Sequence, residues 1–213
     1  MIKTLVVVRH GDARRDEVVL SDVERPLTPR GRRETAAAAS KFATLGCPGA
    51  IIVTSPAQRA LDTADIWKKS LKVPAIHLRI EPKLYEAEQR DILQQVRQLD
   101  DADDTVVLIG HNPGVTHLLH HLVGRDIERM NLSAFAVISI DVDRWNHLAL
   151  RDAELVHYYA PPADAQLQSL SQRFVFGYRK RVQKVELFLV FLIGLLVILV
   201  AVVVTMTMNL GAK

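Results

Sequence analysis

The chain has 213 residues, a formal net charge of +3 and a single cysteine, Cys47, which excludes an intramolecular disulfide. The positive charge is local, because residues 1–164 contain 21 Lys and Arg against 23 Asp and Glu. The N-terminal region therefore lacks the basic surplus that is typical of a nucleic-acid-binding domain, and we expect no nucleic-acid partner.

Apolar runs and helix-favouring segments alternate along this region. Apolar, often β-branched runs predict strands at 5–8, 50–53, 76–80 and 105–109, and two further strands at 134–142 and 147–158. Helices are predicted at 32–45, from Ser55 to about 70, at 89–99 and at 113–123. Thr28 is a candidate cap for the first of these helices, with Pro29 at its first position.

This alternation predicts an α/β fold. Strands separated by helices of about 10 to 15 residues are typical of a three-layer, doubly wound, mostly parallel sheet with helices on both faces. The last two strands have no helix between them, so we expect them to be antiparallel and to lie at or near the sheet edge.

Three of the predicted strands end in polar side chains that suit an anion. Arg9-His10-Gly11 follows the first strand, Ser55-Pro56 with Arg59 one turn later follows the second, and Gly110-His111-Asn112 follows the strand at 105–109. Because the carboxyl ends of parallel strands share one sheet edge, these groups should converge near helix N-termini. Arginine forks there would bind a tetrahedral oxyanion, and one imidazole would attack it while the other supports the developing charge.

The sequence blocks that carry these residues resemble a known family. The blocks are LVVVRHGDA at 5–13, PLTPRG at 26–31, TSPAQRALDTA at 54–64, LYEA at 84–87 and VLIGHNP at 107–113. In this order, over residues 1 to about 160, they resemble the histidine phosphatase superfamily, most of all its small bacterial SixA-type branch.

The resemblance implies a fold and a set of roles. It implies a phosphoglycerate mutase-like domain in which His10 forms a covalent phosphohistidine and Arg9, Arg59 and His111 line the phosphate pocket. It also implies that a carboxyl group after the third strand protonates the leaving group. Glu86 is the preferred candidate for this proton donor, and Glu88, two residues away, is the fallback.

Two departures from larger members of the family bear on the reaction. Asp16 stands where many of them carry a phosphate-binding Asn, so that role is not transferred to this chain. The short second half also has no room for the large capping insertions of sugar-phosphate mutases. We therefore expect hydrolysis of a small phosphomonoester or of a phosphohistidine-bearing protein, with no metal and no cofactor.

Two alternatives compete with this interpretation. His117, His120 and His121 share a predicted helix face, a spacing that can bind a transition metal, but without carboxylate or thiolate neighbours a polar helix face is the preferred interpretation. A membrane-tethered module that binds phosphorylated ligands without turnover is the second alternative. The four matched pocket residues are all present, which favours the enzyme.

The C-terminal part has the composition of a membrane anchor. Residues 187–208 carry no charged side chain, and at 1.5 Å per residue they would span roughly 33 Å as a helix. We therefore predict a catalytic domain at 1–160, a linker and basic juxtamembrane segment at 161–184, a transmembrane helix at 185–208 and a short tail at 209–213. The basic residues just before the span predict a single-pass protein of the cytoplasmic membrane whose domain faces the cytosol. They are Arg173, Arg179, Lys180, Arg181 and Lys184.

Overall fold

The structure is a computed structural model that describes residues 2–15, 21–46, 50–124, 129–149 and 153–162. Asp16, Cys47 and the predicted linker, transmembrane helix and tail all lie outside these residues, apart from the first two positions of the linker. Within the described ranges, no helix combines the length and the apolar character that crossing a membrane requires.

A six-stranded mixed sheet forms the centre of the domain. Its strands, in chain order, are β1 Ile2–Arg9, β2 Ile51–Thr54, β3 Leu78–Ile80, β4 Thr105–Gly110, β5 Phe135–Asp141 and β6 Ala153–Tyr159. Their spatial order is β3-β2-β4-β1-β5-β6. The first four are parallel to one another, β5 pairs antiparallel with β1, and β6 pairs antiparallel with β5. The predicted α/β fold and the two antiparallel strands are confirmed.

Helices cover both faces of this sheet. They are α1 Pro29–Ala43, α2 Gln58–Leu71, α3 Gln89–Val96 and α4 Gly114–Val123. Side chains alternate between the two faces of a strand, so Val6 and Val8 pack with residues of α1 and α2, such as Phe42 and Trp67. Leu5 and Val7 pack on the other side with residues of α3 and α4. The predicted three-layer arrangement therefore follows from the alternation within β1.

The last strand begins later than the sequence indicates. His147, where the predicted strand starts, is the last residue of a 3-10 turn at Trp145–His147, and β6 begins at Ala153. The Trp145 indole is fully buried and donates a hydrogen bond from Nε1 to the Asp103 carbonyl at 3.0 Å. Because this indole packs into the core, the chain around it turns inward instead of extending along the sheet edge.

Two helices also differ from their predicted limits. Helix α2 begins at Gln58, with Ala57 as its N-cap, instead of opening at Ser55. Helix α3 ends at Val96, three residues before its predicted end. Arg97 follows it directly and donates from two nitrogens to the Leu148 carbonyl, which fixes the chain at this point.

The start of α1 holds the loop that follows β1. Thr28 caps the helix, as predicted, by accepting a hydrogen bond from the Gly31 amide at 2.9 Å. The Thr28 amide donates to the Asp12 carbonyl, and its hydroxyl donates to the Asp12 carboxylate, each at 2.9 Å. Gly31 lies so close that a Cβ there would be 2.2 Å from the Asp12 carbonyl oxygen. The segment 26–31 thus fixes the backbone two residues after His10.

Candidate active site

The strand ends that precede the candidate catalytic residues lie side by side. Strands β2, β4 and β1 are consecutive neighbours in the sheet, and His10, Ser55 and His111 each follow the last residue of one of them. The imidazoles of His10 and His111 have ring centroids 4.9 Å apart, at an interplanar angle of 56°. The structure therefore brings together the two histidines that follow the apolar runs of β1 and β4, as the sequence predicts.

His10 is fixed in one tautomer by its neighbour. Its Nδ1 lies 2.7 Å from the Gly11 carbonyl oxygen, and because a carbonyl only accepts, Nδ1 carries the proton and donates. Burial, the neighbouring His111 and the charges of Arg59 and Arg9 lower the pKa of His10 to about 3, against a smaller raising effect of the Gly11 hydrogen bond. At neutral pH the ring is uncharged, and Nε2 presents the lone pair of a nucleophile.

His111 is buried beside Ser55. Its Nε2 lies 2.7 Å from the Ser55 hydroxyl oxygen, which also accepts a long hydrogen bond from the Ala57 amide. With the hydroxyl proton donated to Nε2, the imidazole proton is on Nδ1, and that buried nitrogen has no partner among the described residues. Burial, followed by the charge of Arg59, lowers the pKa of His111 to about 4. A bound oxyanion would satisfy this donor.

Arg9 provides a second buried donor. One terminal nitrogen donates to the Met130 carbonyl at 2.7 Å, whereas the Nε atom is buried without a partner in the described part of the chain. Asn112 donates to the same carbonyl at 2.9 Å, so the segment containing Met130 is held against the strand ends. Burial and then the charge of Arg129 lower the pKa of Arg9 to about 10, which leaves the guanidinium charged at neutral pH.

Arg59, in the first turn of α2, is buried and held by Asp22. Its two terminal nitrogens donate to the Asp22 carbonyl at 2.6 Å and to carboxylate Oδ2 at 2.9 Å. Partial burial would raise the pKa of Asp22, but hydrogen bonds from Arg59 and Tyr85 outweigh it and lower that pKa to about 2. The Asp22 carboxylate is therefore ionised at neutral pH.

Tyr85 connects this ion pair to the second histidine. Its hydroxyl donates to Asp22 Oδ2 at 3.0 Å, and its ring stands edge-on to His111 with centroids 5.9 Å apart. Burial and the hydrogen bond to the carboxylate raise the pKa of Tyr85. Asp22 and Tyr85 were not singled out from the sequence, although Tyr85 adjoins the predicted proton donor in the same block.

The two candidate proton donors occupy different positions. Glu86 is exposed, with a left-handed φ of 51°, and lies between Tyr85 and the buried Ala87. Glu88 caps helix α3 and exchanges hydrogen bonds with Asp91 in a capping box. Gly114 of α4 approaches this segment so closely that a Cβ would be 2.1 Å from the Ala87 carbonyl oxygen. The preference for Glu86 as proton donor stays a prediction. Glu88 has a structural role as the N-cap of α3.

The three histidines of α4 differ in their exposure. His117 is exposed, His120 and His121 are half-buried, and the rings of His117 and His120 have centroids 6.4 Å apart. Over the described ranges, no group of three or more His, Cys, Asp or Glu side chains could hold a metal ion.

Comparisons with known proteins agree with this geometry. Residues 5–92 match the family described as histidine phosphatase superfamily (branch 1). This stretch of the chain is histidine phosphatase-like. It includes His10, Arg59 and both candidate proton donors, whereas His111 lies beyond it.

Solved structures extend the similarity over the described domain. A protein from Nakamurella multipartitia, assigned as the phosphohistidine phosphatase SixA, is 28% identical, with a TM-score of 0.64 over 76% of this chain and 98% of that protein. A protein histidine phosphatase SixA complexed with tungstate is 24% identical, with a TM-score of 0.64 over 74% of this chain and 97% of that one, and supports the fold. An uncharacterised protein of Mycobacterium leprae is 26% identical over 151 residues, which cover 67% of this chain and 90% of that protein.

Proposed function

We propose that this protein is a phosphatase that hydrolyses a phosphomonoester or a protein phosphohistidine through a covalent phosphohistidine on His10. The observation that carries the proposal is the neutral His10 imidazole, with Nδ1 committed to the Gly11 carbonyl and its centroid 4.9 Å from His111. The superfamily match over residues 5–92 and the SixA structure from Nakamurella multipartitia support it.

The first step transfers the phosphoryl group. Nε2 of His10 attacks phosphorus, a P–N bond forms, and the bond from phosphorus to the leaving oxygen or nitrogen breaks. Glu86 gives a proton to the leaving atom, which departs neutral. Arg9 Nε and His111 Nδ1, both buried and unpaired among the described residues, would donate to the phosphoryl oxygens as their charge rises.

The second step regenerates the enzyme. Glu86, now a carboxylate, accepts a proton from a water molecule that attacks phosphorus opposite His10. The P–N bond breaks, the electron pair returns to Nε2, and inorganic phosphate leaves. The arginine charges neutralise the phosphoryl oxygens in both steps, so the reaction needs no metal and no cofactor.

Turnover of a chromogenic phosphomonoester by the full-length protein tests this proposal. We expect hydrolysis of p-nitrophenyl phosphate that persists in EDTA and is abolished in His10→Ala. A matched histidine control is His147→Ala, because His147 is exposed and pairs with Asp143 beyond the opposite end of the sheet. If wild-type protein binds phosphate but turns over neither this ester nor phosphohistidine, the protein is a binding module and the proposal is wrong.

We also propose that residues 185–208 anchor the protein in the cytoplasmic membrane with the domain in the cytosol. The support is the uncharged stretch 187–208 and the basic residues before it, such as Arg179 and Arg181. Extraction of membranes at alkaline pH should leave the full-length protein in the membrane fraction. Protease should digest its domain only in inside-out vesicles. Release by alkali would contradict the anchor, and digestion in right-side-out vesicles would contradict the orientation.

A further inference from the structure

The ion pair between Asp22 and Arg59 has a geometry that bears on phosphate binding. Asp22 takes up both terminal nitrogens of the Arg59 fork, one through its backbone carbonyl and one through carboxylate Oδ2. A guanidinium has five N–H donors in one plane. With one donor of each terminal nitrogen bound to Asp22, the Nε edge of the fork points away from that residue and can receive an oxyanion.

Asp22 is itself held by several contacts. Its Oδ2 also accepts from the Tyr85 hydroxyl, and its Oδ1 accepts from Arg25. The short 3-10 turn Asp22–Glu24 is closed by Ser21, whose amide and hydroxyl both donate to the Glu24 carboxylate. Since one of the two bonds to Arg59 comes from the backbone, rotation of the Asp22 side chain alone would not release the arginine.

Because the Arg59 side chain is buried, its contacts with Asp22 matter for the site. The Arg59 side chain is 7% exposed, and a buried guanidinium without a partner has a large desolvation cost. The charge of Arg59 acts on both imidazoles, because it lowers the pKa of His10 and of His111. A fork that turned away from this position would withdraw its charge from the site of phosphoryl transfer.

From this geometry we infer that Asp22 is a positioning residue that holds the Arg59 fork edge-on to the phosphoryl group, with Tyr85 locking its carboxylate in place. This inference rests on the proposed phosphatase function. According to this inference, Asp22 strengthens phosphate binding, whereas an unpaired negative charge beside an anion pocket would weaken it. Such a charge would repel phosphate, and its removal would tighten binding.

Two substitutions separate these effects in the full-length protein. Asp22→Ala should weaken the binding of inorganic phosphate, measured by calorimetry, about tenfold and lower kcat/KM for p-nitrophenyl phosphate by a similar factor. Asp22→Asn keeps the backbone carbonyl and a side-chain oxygen for Arg59, so it should restore both values to within about threefold of wild type. Asp143→Ala, an aspartate paired with His147 beyond the opposite end of the sheet, is the matched control.

A double-mutant cycle shows whether Asp22 acts through the arginine. In an Arg59→Lys background a single ammonium nitrogen cannot occupy both positions of the planar fork against the Asp22 carbonyl and carboxylate, so adding Asp22→Ala should cost less than about twofold. Tighter or unchanged phosphate binding in Asp22→Ala, or the same tenfold loss in the Arg59→Lys background, would overturn the inference. A variant with a lowered melting temperature is assayed at a temperature where it is folded. If Asp22→Ala does not fold, phosphate binding by Asp22→Asn within about threefold of wild type supports the inference, and clearly tighter binding overturns it.

These outcomes are distinct from failure of the proposed function. If the wild-type protein binds phosphate without hydrolysing any ester, the phosphatase proposal fails, and the calorimetric arm still tests the positioning role. If the wild-type protein is active and Asp22→Ala matches it, the positioning role alone fails.

Discussion

The His10 and His111 rings lie with their centroids 4.9 Å apart, each in contact with a different fixed group: the Gly11 carbonyl for His10 and the Ser55 hydroxyl for His111. Burial is the main cause that lowers the pKa of both rings. The neighbouring His111 lowers the pKa of His10 further, and the charges of Arg59 and Arg9 act on both rings in the same direction. The pair is therefore neutral in the absence of an anion, which leaves one ring as nucleophile and the other as hydrogen-bond donor.

The first prediction concerns the titration of these rings. NMR of histidine-labelled protein without phosphate should show the pKa of His10 at about 3 and that of His111 at about 4, well below 6.5. In Arg59→Gln both values should rise, because the Arg59 charge is one cause of each shift. Resonances that titrate near 6.5 in wild type would show that the two rings are solvated and apart.

The second prediction concerns stability against pH. Unfolded imidazoles take up protons near pH 6.5, whereas the folded rings do so only near 3 to 4, so the unfolded state binds more protons in between. The contribution of these rings is fully present above pH 6.5 and is lost as the pH falls towards 3. The melting temperature of His10→Ala should fall less steeply over this window than that of wild type. Parallel curves would contradict the assignment.

The third prediction concerns Gly31, which packs on the loop after His10. In Gly31→Ala the new Cβ would lie 2.2 Å from the Asp12 carbonyl oxygen, a backbone atom that must shift. We expect a loss of about 1 to 3 kcal/mol in the free energy of unfolding, measured with urea, and a lower kcat for p-nitrophenyl phosphate because His10 moves with the loop. Ser40→Ala, on an exposed position of the same helix, should change stability by less than about 0.5 kcal/mol. A Gly31→Ala protein as stable and as active as wild type would contradict the close contact.

The fourth prediction separates the two glutamates. Glu86→Gln should lower kcat about 10²-fold or more for an alkyl phosphate, whose leaving group needs a proton, and much less for p-nitrophenyl phosphate. Glu88→Ala should chiefly lower the melting temperature, because it removes a cap of α3 that contributes on the order of 1 kcal/mol. A leaving-group-dependent loss in Glu88→Ala and none in Glu86→Gln would reverse the assignment.

The meeting of the strand ends could be predicted from the sequence, and the partner of Arg59 could not. His10, Ser55 and His111 each follow an apolar run, and parallel strands bring such positions to one edge whatever their separation along the chain. Asp22 is 37 residues from Arg59, in a charged segment with no periodicity, and its side chain is placed by a three-residue 3-10 turn. No local pattern indicates which carboxylate of that segment faces the arginine.

The last predicted strand is a second case in which the sequence pattern does not predict the structure. The residues before Ala153 alternate in a strand-like way, yet Trp145 fills the core and forms a 3-10 turn with its neighbours. The alternation of apolar and polar residues is a local signal of an extended segment. It does not predict that a nearby large side chain packs into the core and bends the chain. The tertiary packing of one indole therefore accounts for the 3-10 turn at Trp145–His147.

Rapid-quench trapping shows whether His10 accepts the phosphoryl group. The full-length protein is mixed with radiolabelled substrate, quenched in alkali within milliseconds and digested for mass spectrometry. We expect a phosphoryl label on His10 that survives alkali, is lost in acid, and is absent from His10→Ala. Steady turnover with no label on His10 at any quench time, or a label on a hydroxyl side chain, would contradict it.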